Sequence, residues 1–349
     1  MTGLHVRRLA AALLVVVAGP VAGAPGARAA QSFAEQPAVK ALYDKAKAET
    51  EVDIWGPAPI ELQWIPGQFA KRFPGIAVKW NADLQAGTKI IAEARAGRHT
   101  VDAWSNSLGG LIEVQKRGLL AKIDWASFGI ARDDVFFDGE AAATHNFVYS
   151  VVYAKDHAAA TELPGRWQDL ATAPWRDKLA ASDFLLPRLM GFLALEWGPE
   201  ATATWARTLI AQERLLVSNA PLQNFLKTGE RLAAVADPVS NAYYYSAQGV
   251  PSGYRLMDIV PATQFVIDVF KDAPHPNAAR LLAAWLASPE GRGFFDTLVH
   301  EPDIRPGSQS ALAQEIRSSG AKVIFEDVAT MGRRADYYKT FSALVRGQQ

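Results

Sequence analysis

A two-lobed α/β chain is predicted by three observations. Short apolar runs alternate with segments of helical periodicity, the chain is too long for one ordinary core, and a long apolar strand lies in mid-sequence. Residues 52–55 read as a strand stopped by Gly56-Pro57-Ala58-Pro59. In the stretch that follows, Leu62, Ile65, Phe69 and Phe73 recur on one helical side. Pro66-Gly67 is expected to kink or break that helix, because proline removes a hydrogen bond and clashes with the preceding turn. Pro74-Gly75 ends it. Residues 76–80 form the next strand, 89–96 a helix, 101–104 a short strand and 111–117 another helix. This βαβαβ series builds a sheet with helices packed on its faces.

Residues 147–154 are nearly all β-branched or aromatic and read as a long strand. Residues 164–175 have the proline, tryptophan and charge mixture of a surface turn. Strands are expected at 179–182, 214–217, 232–236 and 265–269, with helical stretches at 191–197 and 203–210. Residues 277–287 carry Ala278, Leu281, Leu282, Trp285 and Leu286 on one face, an amphipathic helix closed by Pro289-Glu290-Gly291. There is no internal repeat and no low-complexity segment.

The first thirty residues read as a leader rather than as part of the fold. His5, Arg7 and Arg8 precede an apolar run at 9–17, then helix breakers, then Ala27-Arg28-Ala29 as a small-x-small cleavage site. The run is short for a membrane span, which takes roughly 20 residues. Arg7-Arg8 also admits twin-arginine export, and an uncleaved anchor is the other reading. Cleavage leaves about 320 residues, a length that favours two lobes. Three of the 36 basic residues and none of the 36 acidic ones lie in the leader, so the mature charge is −3. No basic excess exists to draw nucleic acid. With no cysteine, thiol catalysis and cysteine-based metal sites are excluded, and an exported chain must be stable without disulfides. The sequence also lacks a G-x-S-x-G elbow, an H-E-x-x-H zinc motif, a phosphate loop and a dinucleotide fingerprint, so no enzymatic activity is assigned.

Five segments, in order, carry a resemblance to a known family. They are FAKRFPGIAV at 69–78, EARAG at 93–97 with Val101-Asp102-Ala103, and GLLA at 118–121. WQDL at 167–170 with WRDKL at 175–179 follows, and APHPNAA at 273–279 with Trp285-Leu286 and SPEG at 288–291 is the most specific. Together they resemble the extracellular solute-binding proteins of ABC importers, in the family that includes ferric-ion binders, over roughly residues 48–295. The resemblance implies a two-lobed periplasmic-binding-protein fold of type 2, each lobe a mixed sheet flanked by helices, with a hinge of two crossing strands. Lobe 1 would comprise 31–150 and 262–349, lobe 2 would comprise 151–261, and the crossings would fall near 149–153 and 261–265. It further implies a monomer that closes on a small solute in the periplasm and delivers it to an ABC permease at the inner membrane, with no cofactor. A sensing subunit for a membrane kinase, or a scaffold with a vestigial cleft, would share this sequence.

In open α/β sheets ligands sit beyond the carboxyl ends of strands. That rule selects the loop 56–61, with Pro57 and Ala58 and the free amides at the following helix start, then the loop 82–88 with Gln85 and Thr88, beside Asn81. It also selects Trp104, Ser105 and Asn106, an aromatic face beside two neutral polar groups, with Trp104 as a core residue the competing reading. In the second lobe it selects Asp183 and Arg188, where the guanidinium could pair with a carboxylate or phosphonate while nearby leucines cover an apolar body. A solvated arginine at a helix start is the competing reading. Ser218, Asn219 and Gln223 form another polar loop. Tyr243 and Tyr244 complete the ligand candidates. Ferric binders of the resembled family use adjacent tyrosines as phenolate ligands about ten residues after a glycine-glutamate turn. Counted from Gly229-Glu230, those places hold Val239 and Ser240, so no metal ligand is assigned. The mature histidines show no ligand spacing, and His275, between prolines, is expected to shape a turn. The solute expected is an organic anion with an apolar portion, with ferric iron as the alternative.

Overall fold

The computed structural model describes residues 32–347, so the expected leader at 1–30 lies outside the described residues. After α1 (Pro37–Ala46), strand β1 (Glu51–Gly56) pairs in parallel with β2 (Ala77–Ala82) and β3 (Ala103–Ser107). Helices α2 (Pro59–Leu62), α3 (Ile65–Arg72) and α4 (Ala86–Arg95) connect them, and α5 (Ile112–Lys116) follows. The helix expected over 62–73 is thus two helices. Pro66 falls in the first turn of α3, where its missing N–H leaves nothing unpaired.

After the short β4 (Val135–Phe136) comes β5 (Ala141–Ala154), the longest strand among the described residues. Next come β6 (Leu179–Ser182), α6 (Leu185–Trp197), α7 (Pro199–Arg207), β7 (Leu216–Ser218), α8 (Leu222–Thr228) and β8 (Ala233–Pro238). The chain continues through α9 (Val239–Ala247), β9 (Ser252–Arg255) and β10 (Ile259–Val269). It ends with α10 (Pro276–Ala287), α11 (Pro289–Phe294), α12 (Ala311–Ser319), β11 (Lys322–Phe325) and α13 (Met331–Gly347). Pro289 begins a helix rather than only closing one: Ser288 turns out of α10 and its Oγ accepts from Gly291 N at 3.3 Å, a serine N-cap.

The strands order as β2-β1-β3-β10-β5-β8-β6-β7. β5 and β10 join the two halves. Residues 141–148 of β5 pair antiparallel with β10, and Tyr149 to Tyr153 pair with β8 instead. Two buried amides, Asn146 of β5 and Gln264 of β10, pair where the strands cross. Asn146 Nδ2 donates to Gln264 Oε1 at 3.1 Å, and Ile304 N donates to Asn146 Oδ1 at 2.8 Å. Buried amides left unpaired would each cost about 1–3 kcal/mol, so this network pins the register of the crossing.

One core gathers Phe69, Phe73, Trp285 and Phe295 around the first sheet, and a second gathers Trp167, Phe192 and Trp205 around the other. Helix α13, whose charged sequence shows no simple periodicity, packs along α6 and buries Phe341 and Val345 with Leu186 and Met190. His275 does shape a turn. The Asp102 carboxylate accepts from His275 N at 2.6 Å and from Asp53 N at 2.7 Å, tying β1 to the start of α10. Glu49 then accepts from Ala278 N at 2.7 Å, placing an anion at the α10 N-terminus. Among the described residues no helix is long and apolar enough to cross a membrane.

Candidate functional site

A cavity of about 730 Å³ opens at the carboxyl ends of β1, β2 and β3 and faces the start of α6. That volume suits a small organic molecule. The loop after β1 contributes Pro57 and Ala58, and α4 contributes Gly87, Thr88 and Arg95. β3 and its following turn contribute Trp104 and Asn106, and α6 contributes Leu185 and Arg188 from the opposite wall. The crossing strands form the floor with Phe147, Tyr149, Thr263 and Phe265.

Small residues let the aromatic wall form. A Cβ built on Gly87 would come within 3.0 Å of Trp104 Cη2, so glycine allows the indole to lie against α4. Trp104 is 2% exposed yet borders the cavity, so it serves both as core and as wall. A Cβ on Gly110 would meet Asn106 Nδ2 at 2.6 Å, which explains how the Asn106 side chain folds back over the turn. There its Oδ1 accepts from Ser107 N at 2.7 Å.

The charges are uneven. Of the carboxylates lining the cavity, Asp83 pairs with Lys89, and Glu113 accepts from Arg117 Nη1 at 2.6 Å. The third, Glu61, is buried, and burial followed by the nearby Glu301 charge pushes its pKa well above the usual carboxylate range. Against these stand Arg95 and Arg188, neither of which meets a carboxylate among the described residues. Arg188 lies over the rings of Phe184 and Tyr338, with its Nε buried and without a hydrogen-bond partner. Burial raises the pKa of Tyr149 on the floor, while the charges of Arg188 and Arg334 pull it back. The cavity therefore presents two guanidinium groups without a counter-charge, and its surface is mostly apolar and aromatic. Such a site suits an anion with an apolar body.

Of the residues expected from sequence, Pro57, Ala58, Trp104, Asn106 and Arg188 meet around this cavity, as do Gln85 and Thr88. The others lie elsewhere. Ser105 alternates to the opposite face of β3 and is buried with its Oγ unpartnered. Asp183 N donates to Ser218 O at 3.1 Å, and Ser218 Oγ accepts from Ala220 N at 3.0 Å, so these two shape a turn. Asn219 is exposed beside it. Tyr243 and Tyr244 sit on the outer side of α9, 44% and 41% exposed, with Tyr243 stacked on His300. Val239 and Ser240 occupy the start of α9, where Ser240 Oγ donates to Glu301 Oε1 at 2.8 Å. Glu61 lies in the loop 56–61 that the strand-end rule selects, and Tyr149, Thr263 and Phe265 lie in the expected crossings, but none of them, nor Phe147, was named as a ligand candidate. Phe147 and Tyr149, and Thr263 and Phe265, stand two apart on their strands, and the expectation that both strands cross between lobes could have found them.

Parallel strands feeding a cleft from one half, two strands running through both halves and a helix start facing them define the type 2 periplasmic-binding-protein fold. Comparison with solved structures bears this out. The iron-bound HitA of Pseudomonas aeruginosa is similar at a TM-score of 0.69 and 16% identity, over 86% of this chain and 99% of that one. The substrate-binding protein of the ABC transporter from Agrobacterium tumefaciens is similar at 0.72 and 15% identity, over 85% and 94%. The apo ferric ion-binding protein A of Pasteurella haemolytica is similar at 0.68 and 16% identity, over 86% and 98%. No protein-family model matches the chain, and no curated protein matches it in sequence. At these identities the likeness shows the fold, a two-lobed one.

Proposed function

We propose that the protein is a periplasmic solute-binding protein that captures a small organic anion with an apolar portion and hands it to an ABC permease. The observation that carries this reading is Arg188, a cation without a counter-ion on the wall of an aromatic-lined cavity. A guanidinium held there gains a bidentate hydrogen-bonded partner only when a carboxylate or phosphonate enters. The lobes are taken as 31–150 with 262–349, and 151–261, the terminal helix reaching across to α6. Contacts from both walls would stabilise a closed state that the permease distinguishes from the open one. Export through the leader, and action as a monomer, belong to the same reading.

A ferric-ion reading draws support from the names of similar structures. The donor set argues against it. Among the described residues, Tyr149 is the one tyrosine in the cavity lining and no histidine joins it, and Asp83 and Glu113 are already paired with basic side chains.

The test is a thermal-shift screen with organic acids, aromatic acids, phosphonates, amino acids, polyamines, sugars and ferric citrate. A ligand at a hundredfold excess over its Kd stabilises the folded state by about 2.7 kcal/mol. The reading expects a shift with a carboxylate or phosphonate that is lost in Arg188→Ala. A shift with ferric citrate alone would replace it with the iron reading.

A further inference from the structure

Behind the cavity floor lies a group of polar side chains that anion capture by Arg188 does not use. His145 on β5 is fully buried, its ring stacked between Phe265 at 4.6 Å and Phe295 at 4.0 Å. Its Nδ1 is 3.0 Å from Thr144 Oγ1. Two carboxyl groups converge on its Nε2, Glu61 Oε2 at 3.8 Å and Glu301 Oε2 at 3.4 Å. These three atoms are all buried and all without a hydrogen-bond partner. Glu61 is 6% exposed and belongs at once to this group and to the cavity wall. Glu301 is anchored from the other side by Ser240 of α9.

Two carboxylates sharing one buried space cannot both ionise without large cost, so one keeps its proton. Glu301 already accepts the Ser240 hydroxyl through Oε1, whereas burial and the neighbouring carboxylate raise the Glu61 pKa well above the usual range. The proton therefore belongs on Glu61, whose wall position lets an O–H reach the cavity. We propose that Glu61 is a ligand-reading residue of the cleft, meeting the bound anion as a neutral carboxyl that donates a hydrogen bond. This rests on the anion reading above and adds to it a donor that distinguishes acceptor-bearing anions from purely apolar solutes. The ionisable groups facing Glu61 are His145 and Glu301, while Arg95, Arg117, Arg188, Asp83 and Glu113 line the same cavity. Burial, then the Glu301 charge, raise the Glu61 pKa, so ionisation on the alkaline side would turn the donor into a repelling charge.

Two measurements test this. The first needs no ligand: carboxyl ¹³C NMR of the whole protein, with Glu61→Gln identifying the Glu61 signal. A neutral Glu61 near pH 7 supports the proposal, and an ionised Glu61 paired with a charged His145 overturns it. The second is titration with phenylphosphonate and 4-bromobenzoate across rising pH. Glu61→Gln, which keeps a neutral donor, is expected to bind within about threefold of the parent and to lose its alkaline fall in affinity, whereas Glu61→Ala loses about tenfold. Equal losses in both variants, or no loss in Glu61→Ala, would overturn the proposal. If the parent protein binds neither probe, the anion reading is what fails, and the NMR result alone then decides the state of Glu61.

Discussion

The Arg188 guanidinium lies 4.1 Å from the centroid of the Phe184 ring, four residues earlier at the start of α6. Spacing of four on a helix puts both side chains on one face. Tyr338 of α13 meets the same guanidinium at 5.4 Å, so a cation–π contact on each of two rings fixes its place. The cation is thus positioned in advance but left without a counter-charge, which lowers the ordering cost of binding an anion.

Arg188→Ala is therefore expected to weaken carboxylate or phosphonate binding by about ten- to a hundredfold, the range for a charge-assisted hydrogen bond. Arg188→Lys should recover only part, because an ammonium lacks the planar fork. Calorimetric titration checks both, and circular dichroism should show the fold intact.

Phenylalanine at Tyr243 and Tyr244 together should leave affinity for a cleft ligand within about twofold, since both rings lie outside the cavity. A loss of tenfold or more would bring α9 into the binding site. The same titration reads it.

Asp237 is buried, and burial, only partly offset by hydrogen bonding from Asn241, pushes its pKa up to about 7. The native state then holds this proton more tightly than the unfolded chain, whose aspartate titrates near 3.8. Stability from this group is present at acid pH and is lost as pH rises through the folded value. Asp237→Asn removes the titration and keeps an acceptor for Asn241. Urea unfolding should show the variant gaining about 3 kcal/mol on the parent between roughly pH 5 and pH 8.

Arg334 and Glu326 form a buried ion pair, with the guanidinium 3.4 Å from the Phe192 ring centroid. Glu326→Ala leaves a buried cation without its partner and is expected to cost about 3–5 kcal/mol. The double replacement with apolar residues should cost clearly less. Thermal unfolding of the three variants checks the order.

The alternating pattern was legible where strands and amphipathic helices carry strong apolar periodicity, as at β1, β5 and α10. It failed for α13, where charged residues hide two anchors, Phe341 and Val345. The strand-end rule found Pro57, Trp104, Asn106 and Arg188 because the sheet's geometry alone points its carboxyl ends at the cleft. Residue type misled at Ser105, whose neighbour-to-neighbour alternation sends it to the other face of β3. Glu61 lay in a selected loop, yet its role was not legible there. Its significance comes from Glu301 and His145, far away in sequence and brought together only by folding.

The most direct measurement is anomalous diffraction from crystals of the protein grown with 4-bromobenzoate. The account predicts bromine in the aromatic cavity between Trp104 and Leu185, with the carboxylate on the Arg188 guanidinium. Bromine outside that cavity, or a carboxylate turned away from Arg188, would contradict it.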